Sequence, residues 1–175
     1  MSFIDSVKQA VEIVKLNGKA IVNVSKDKNA TLMGVLIVAI GAILNQILDF
    51  NVLTSIFVVV FAIAVYFIVL SITHTLARLF GGKAKYMEYF RAESYAAILG
   101  WLGVLAIIPF LGNILNFLVS LWSIVVSVVI LENVHKLARG KAIVVVFIVF
   151  LLLVVIGSLA YFGTLSPDVP LPITP

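Results

Sequence analysis

All twelve Lys and Arg residues of this chain fall in three clusters, and the sequence between and beyond them carries almost no charge. Lys8, Lys15, Lys19, Lys26 and Lys28 precede the first long apolar run. Arg78, Lys83, Lys85 and Arg91 follow the second, and Lys136, Arg139 and Lys141 follow the fourth. The apolar runs are 31–48, 52–72, 94–108, 114–131 and 142–162. A helix crosses a hydrocarbon core of about 30 Å with about twenty apolar residues. Basic loops stay on the cytoplasmic side during insertion. Five crossings place the three basic clusters on one side and leave no basic residue on the other. Four or six crossings would strand a cluster outside. The expected fold is therefore all-α: a polytopic membrane helical bundle of five transmembrane helices, with the N-terminus inside and the C-terminus outside.

Composition excludes the soluble alternatives. Hydrophobic residues make up 63% of the chain and charged residues 11%, with a mean hydropathy of +1.23. Soluble domains carry about 45–50% apolar and about 25% charged residues. The net charge of +4 does not point to nucleic acid, because no stretch combines dense Lys/Arg with aromatics on one face. The absence of cysteine removes disulfides, thiolate metal sites and Cys nucleophiles. No signal-peptide pattern opens the chain, so the first span is expected to direct its own insertion. Scarcity of Cys and of Gln (Gln9 and Gln46 alone) is the composition of some thermophile proteins.

The chain divides into a cytoplasmic amphipathic segment (1–29), a five-span domain (30–163) and a Pro-rich extracytoplasmic tail (164–175). In the first segment Ile4, Val7, Val11 and Val14 form one apolar stripe of a helix, with Asp5, Lys8, Glu12 and Lys15 facing away and Gly18 as its weak point. Such a helix lies flat in the membrane interface or packs on the protein's own loops. Residues 84–92 form a second amphipathic patch, read as a short interfacial helix, behind the helix-breaking Gly81-Gly82. Ala96, Gly100, Gly103 and Ala106 line one side of the third span with small residues that permit close helix packing.

Two segments repeat. His74-Thr75-Leu76-Ala77-Arg78 matches His135-Lys136-Leu137-Ala138-Arg139. Each is followed by Gly-Lys-Ala, at Gly82-Lys83-Ala84 and Gly140-Lys141-Ala142. Both sit at the inside end of a span, which suggests a duplicated helical hairpin. Gly stops a helix and Lys reaches headgroups, so the motif has a structural account without chemistry.

Catalytic patterns are few. Glu132-Asn133-Val134-His135 puts a carboxylate and an imidazole on one helical face, but the position matching Glu132 in the first repeat is Ser71, so the paired Glu-x-x-His of a di-metal bundle is missing. A single metal held by His74, His135, Glu132 and Glu93 would require the inside ends to converge. Ala occupies the two positions, 77 and 84, where a phosphate-binding loop needs Gly and Ser or Thr. Ser120, Ser123 and Ser127 lack a nucleophile elbow and a neighbouring His. The middles of the spans carry no charge, which disfavours ion-coupled transport. Asn45, Gln46, Asn113 and Asn116 sit at the outside ends.

The stretch 74–156 resembles the Yip-domain family, membrane proteins named for interacting with Ypt/Rab GTPases. The resemblance rests on H-T-L-A-R-L-F-G-G-K at 74–83, Tyr95-Ala96-Ala97 at the start of the third span, and E-N-V-H-K-L-A-R-G-K-A at 132–142, followed by an all-apolar last span. It implies a five-span, N-inside protein without catalytic machinery. The short N-terminal segment departs from the eukaryotic trafficking members, which carry a long acidic-aromatic region there, and resembles prokaryotic members.

The sequence thus points to a multi-pass protein of the cell membrane that acts as a scaffold or membrane organiser, with a small oligomeric transporter or channel as the alternative. Its candidate interaction or structural residues, all at the inside face, are His74, Arg78, Gly82, Lys83, Glu132, His135, Arg139 and Lys141. The partners implied are the bilayer through anionic headgroups, an unidentified protein, and a second copy of the chain. No nucleic acid, metal, cofactor or catalytic residue is expected. Single cysteines at Lys28, Lys83 and Lys141 should be protected from an impermeant thiol reagent in intact cells, and one at Ser166 should be labelled; the reverse pattern would invert the topology.

Overall fold

The computed structural model describes residues 2–46 and 51–165, with side chains to residue 159, and every regular element among them is helical. The elements are α1 (Phe3–Val14), α2 (Gly18–Lys26), α3 (Ala30–Leu44), α4 (Val52–Leu79), α5 (Tyr86–Ala96), a 3₁₀ segment (Ala97–Ile107), α6 (Leu111–Val134) and α7 (Arg139–Leu165). Most of the expected link at 49–51 and the tail from Ser166 to Pro175 lie outside the described residues.

Four elements are long and apolar enough to span: α4, α5 with the 3₁₀ segment, α6 and α7. The fifth candidate is α3 taken with α2, which meet at a bend of 111°. The 15 residues of α3 rise only about 22 Å, short of a typical core. Exposed apolar side chains cover the outer parts of the spans: Phe57 and Phe61 on α4, Phe117 and Leu118 on α6, Phe147 and Leu159 on α7. Such residues are at home against lipid. The buried core sits at the other end, where α3 begins, α4 and α6 end and α7 starts. Tyr89, Phe90, Tyr95, Ile13, Ile21, Ile130 and Leu131 are all inaccessible there. This is the basic end of the bundle.

The N-terminal segment is two helices. The break falls at Lys15–Asn17, ahead of Gly18. Leu16 takes a left-handed φ of 65°. Leu16 N–H donates to the Ile13 carbonyl at 2.8 Å and Asn17 N–H to the Glu12 carbonyl at 3.1 Å, the pair of bonds that closes a helix with a left-handed residue. A non-glycine residue there costs about 1–2 kcal/mol, and Leu16 packs its side chain on the core in compensation. Asn17 then caps α2 by accepting from Lys19 and Ala20 N–H, so Gly18 is the first residue of a helix. The buried face of α1 is Ser6, Ala10 and Ile13. The predicted stripe lies to one side of it, with Ile4 and Val11 exposed. Of the two roles expected for this segment, packing on the protein is the one observed. Trp122 Nε1 donates to the Val14 carbonyl at 2.9 Å, Tyr95 Oη to Ser6 Oγ at 3.2 Å, and Phe3 stacks on Trp101.

The third span also differs from expectation. The patch at 84–92 does not lie on the surface as a separate interfacial helix. It belongs to α5, whose residues 89, 90 and 92–96 are buried, and α5 runs into the 3₁₀ segment. Eleven residues at 3₁₀ rise reach about 22 Å where an α-helix would reach about 16 Å. The stretch lets a short apolar run cross more of the bilayer. Three residues per turn also align Ala97, Gly100, Gly103 and Ala106 on one side, and this segment packs chiefly on α3 and α6. Asn45 donates to the Gly41 carbonyl at 2.7 Å and to the Gly100 carbonyl at 3.1 Å, and Trp101 Nε1 donates to the Ile37 carbonyl at 2.9 Å.

Candidate functional site

The two copies of the repeated motif meet at the basic end, in different backbone conformations. In the first copy His74–Arg78 is the end of α4. That helix closes on Gly81, at φ 96°, with Gly82 N–H donating to the Ala77 carbonyl at 2.8 Å and Gly81 N–H to the Arg78 carbonyl at 3.0 Å. The second copy lacks the three residues Leu79-Phe80-Gly81 that precede Gly-Lys-Ala in the first. There α6 ends at Val134, Lys136 takes a left-handed φ of 58°, and α7 begins at Arg139. The short charged loop that the sequence suggests at 132–141 is four residues, 135–138.

The contacts between the copies are specific. His74 Nδ1 and His135 Nε2 lie 3.2 Å apart. Lys83 N–H donates to the His135 carbonyl at 3.0 Å, and Lys141 Nζ to the Phe80 carbonyl at 3.1 Å. Tyr86 and Tyr89 of α5 set their rings against the imidazoles at 5.3–6.3 Å between centroids. His135 is fully buried, and its Nδ1 has no partner among the described residues. A buried N–H without an acceptor costs more than a lone pair without a donor in this setting, so the arrangement favours the tautomer in which His135 Nε2–H donates to His74 Nδ1.

Gly82 is buried beneath His135. A methyl group at its Cα would lie 2.5 Å from His135 Nδ1 and 2.7 Å from the Ala77 carbonyl oxygen, whereas one at Gly140 meets nothing. The remaining predicted residues line the rim. Glu132 accepts from Arg139 Nε at 2.7 Å in an exposed ion pair. Arg78 and Lys83 are exposed, and Arg78 makes no ion pair among the described residues. The four-residue metal set does not assemble. Glu132 is turned to Arg139 and Glu93 to another part of the bundle, and among the described residues no three His, Asp or Glu side chains converge.

Glu93 is where the reading of uncharged span interiors needs correction. It is 5% exposed within the third span. Tyr89 Oη donates to its Oε1 at 3.1 Å, Ser127 Oγ to its Oε2 at 3.3 Å, and Tyr66 Oη to its backbone carbonyl at 2.7 Å. The sequence hides this because Glu93 adjoins Arg91 and Glu88 and reads as the last residue of a polar loop. Only the continuity of α5 with the span puts it inside. Ser120 and Ser123 donate to carbonyls of their own helix.

Among the described residues, seven α-helices around a buried aromatic-histidine junction, with apolar outer faces on the spans, define a multi-pass integral membrane protein. The family model of the Yip1 domain matches residues 20–160, and the chain belongs to that family. The matched region contains both histidines, Glu93 and every basic residue from Lys26 onward. No curated protein and no solved structure matches the chain.

Two outcomes follow from the junction. Gly82→Ala should lower thermal stability in detergent by about 1–3 kcal/mol through overpacking, while Gly140→Ala in the same Gly-Lys-Ala motif leaves the melting temperature within error or raises it. His135, just past the end of α6, is held by burial at a pKa of about 4, below the ordinary 6.5. The unfolded chain therefore binds more protons on acidification. The stabilisation is complete above pH 6.5 and declines as pH falls toward about 4. Melting curves should show that decline, and His135→Gln should flatten it.

Proposed function

We propose that this protein is a non-enzymatic membrane organiser and scaffold whose basic end faces the cytoplasm and engages anionic headgroups and a partner protein. In this reading residues 1–29 are a cytoplasmic segment, 30–163 the spanning domain and 164–175 an extracytoplasmic tail. The observation that carries it is the free edge of α1. While Ser6, Ala10 and Ile13 fix the helix to the bundle, Phe3, Ile4 and Val11 stay exposed beside exposed Lys8 and Lys15. Exposed Leu79 and Met87, near Lys83 and Lys85, add a second apolar-basic edge at the same end. Apolar side chains flanked by lysine are suited to insertion between headgroups, with the charges held at the phosphates.

The rim residues Arg78, Lys83, Arg139 and Lys141 extend that surface, and His74, Gly82 and His135 keep its two halves in register. Glu132 orients Arg139. The alternative of a small transporter or channel drew on polar groups at the far end. Two of those groups are committed elsewhere: Asn45 to the Gly41 and Gly100 carbonyls, and Gln46 to the Ala42 carbonyl. A second copy of the chain is a further candidate partner in lipid.

Vesicles carrying the reconstituted full chain should cluster with liposomes containing anionic lipid and ignore neutral ones. Clustering should weaken as ionic strength rises, and Ile4→Ser/Val11→Ser should reduce it severalfold without lowering the melting temperature. If the wild-type vesicles neither cluster nor deform anionic liposomes, and crosslinking in cells traps no partner, the reading fails.

A further inference from the structure

We infer that Glu93 is the anchor of an internal binding site for a small organic ammonium ion with an apolar body. Two cavities, about 220 Å³ and about 290 Å³, meet at Tyr66, Glu93 and Ser127. The smaller lies between α4 and α7 and is walled by Leu70, Val146, Phe150 and Tyr89. The larger runs along the 3₁₀ segment past Ala97 and Gly100 to Ser123. Both are clefts open to the outside of the bundle, so a ligand could enter from the side. That both flank Glu93, among the described residues the one carboxyl group buried in the spans, is an arrangement suited to a ligand.

The chemistry of the walls selects the ligand. Among the described residues the ion pairs are Lys15–Glu12 and Arg139–Glu132, and neither reaches Glu93. An ionised carboxylate in low dielectric without a countercharge costs several kcal/mol, and an entering organic cation would supply that countercharge. A bare divalent ion would find one carboxylate and otherwise only neutral hydroxyls, those of Tyr66, Thr73, Tyr89 and Ser127, with no second countercharge. An ammonium ion needs only the carboxylate and the hydroxyl oxygens beside it. Its apolar body would rest on Val146, Phe150 and Leu70. The smaller cleft, about 220 Å³ and mostly apolar, suits an arylalkylamine with a single ring. The site does not depend on the basic end and stands apart from the scaffold reading.

The test uses the full chain in nanodiscs of zwitterionic lipid, with 2-phenylethylammonium as the probe. Calorimetry should show saturable binding to one site, weakened at least ~tenfold by Glu93→Gln, the loss expected when a charge-assisted contact becomes a neutral one. In the unaltered protein a hydrophobic carbodiimide should modify Glu93, as located by peptide mass, and the probe should block that reaction. The carbodiimide arm needs no substitution, so it decides the matter even where Glu93→Gln misfolds. Absence of saturable binding, equal binding by a folded Glu93→Gln variant, or carbodiimide modification at an unchanged rate under excess probe would overturn the proposal.

Discussion

A helix buried on nearly every side must find partners for each polar group it carries, and α5 is that helix in this bundle. Eleven residues long, it is packed by α1, α2, α3, α4 and α6. Its polar side chains act as the joints. Arg91 reaches Thr31 Oγ1 at 2.8 Å and the Ser25 carbonyl at 3.1 Å, tying the bend between α2 and α3. Tyr95 holds α1 through Ser6, Tyr66 holds α4 to the Glu93 carbonyl, and Ser127 holds α6 to the Glu93 carboxylate. Lipid tails are as apolar as leucine, so burial alone gives spans little reason to associate; close packing and buried hydrogen bonds must do it. In this molecule both are concentrated on one short helix at the basic end, and the outer halves of the spans are left to lipid.

The repeated motif shows how one stretch of sequence serves two geometries. Three additional residues let α4 run on through His74-Thr75-Leu76-Ala77-Arg78 and stop at a glycine. Without them the same residue pattern becomes a reversal from α6 to α7. The two copies then face each other through one imidazole-imidazole hydrogen bond and two bonds from the lysines or their backbone to the opposite copy. Gly82 is compact because His135 lies against it, and Gly140 has open space. Identical letters in a motif therefore carry unequal structural weight.

Much of this was legible from the residues. The clustering of basic residues, the apolar runs and the motif at 132–142 led to a multi-pass bundle of the Yip type, and the helices follow those runs closely: 114–131 became Leu111–Val134 and 142–162 became Arg139–Leu165. The misjudged places share a cause. Gly18 looked like a helix breaker, but Leu16 takes the left-handed turn because its side chain has an apolar site to occupy. Glu93 looked like the end of a loop, but α5 carries it into the span.

The sequence by itself determined the solvent of this protein and the grouping of its charges, because hydropathy and charge act residue by residue and need no knowledge of neighbours. Tertiary structure alone decided which face of α1 is buried, where the third span becomes 3₁₀, that His74 meets His135, and that a carboxylate lies between two cavities. Each of those outcomes depends on what another helix places opposite, and no local pattern encodes the opposite side of a contact.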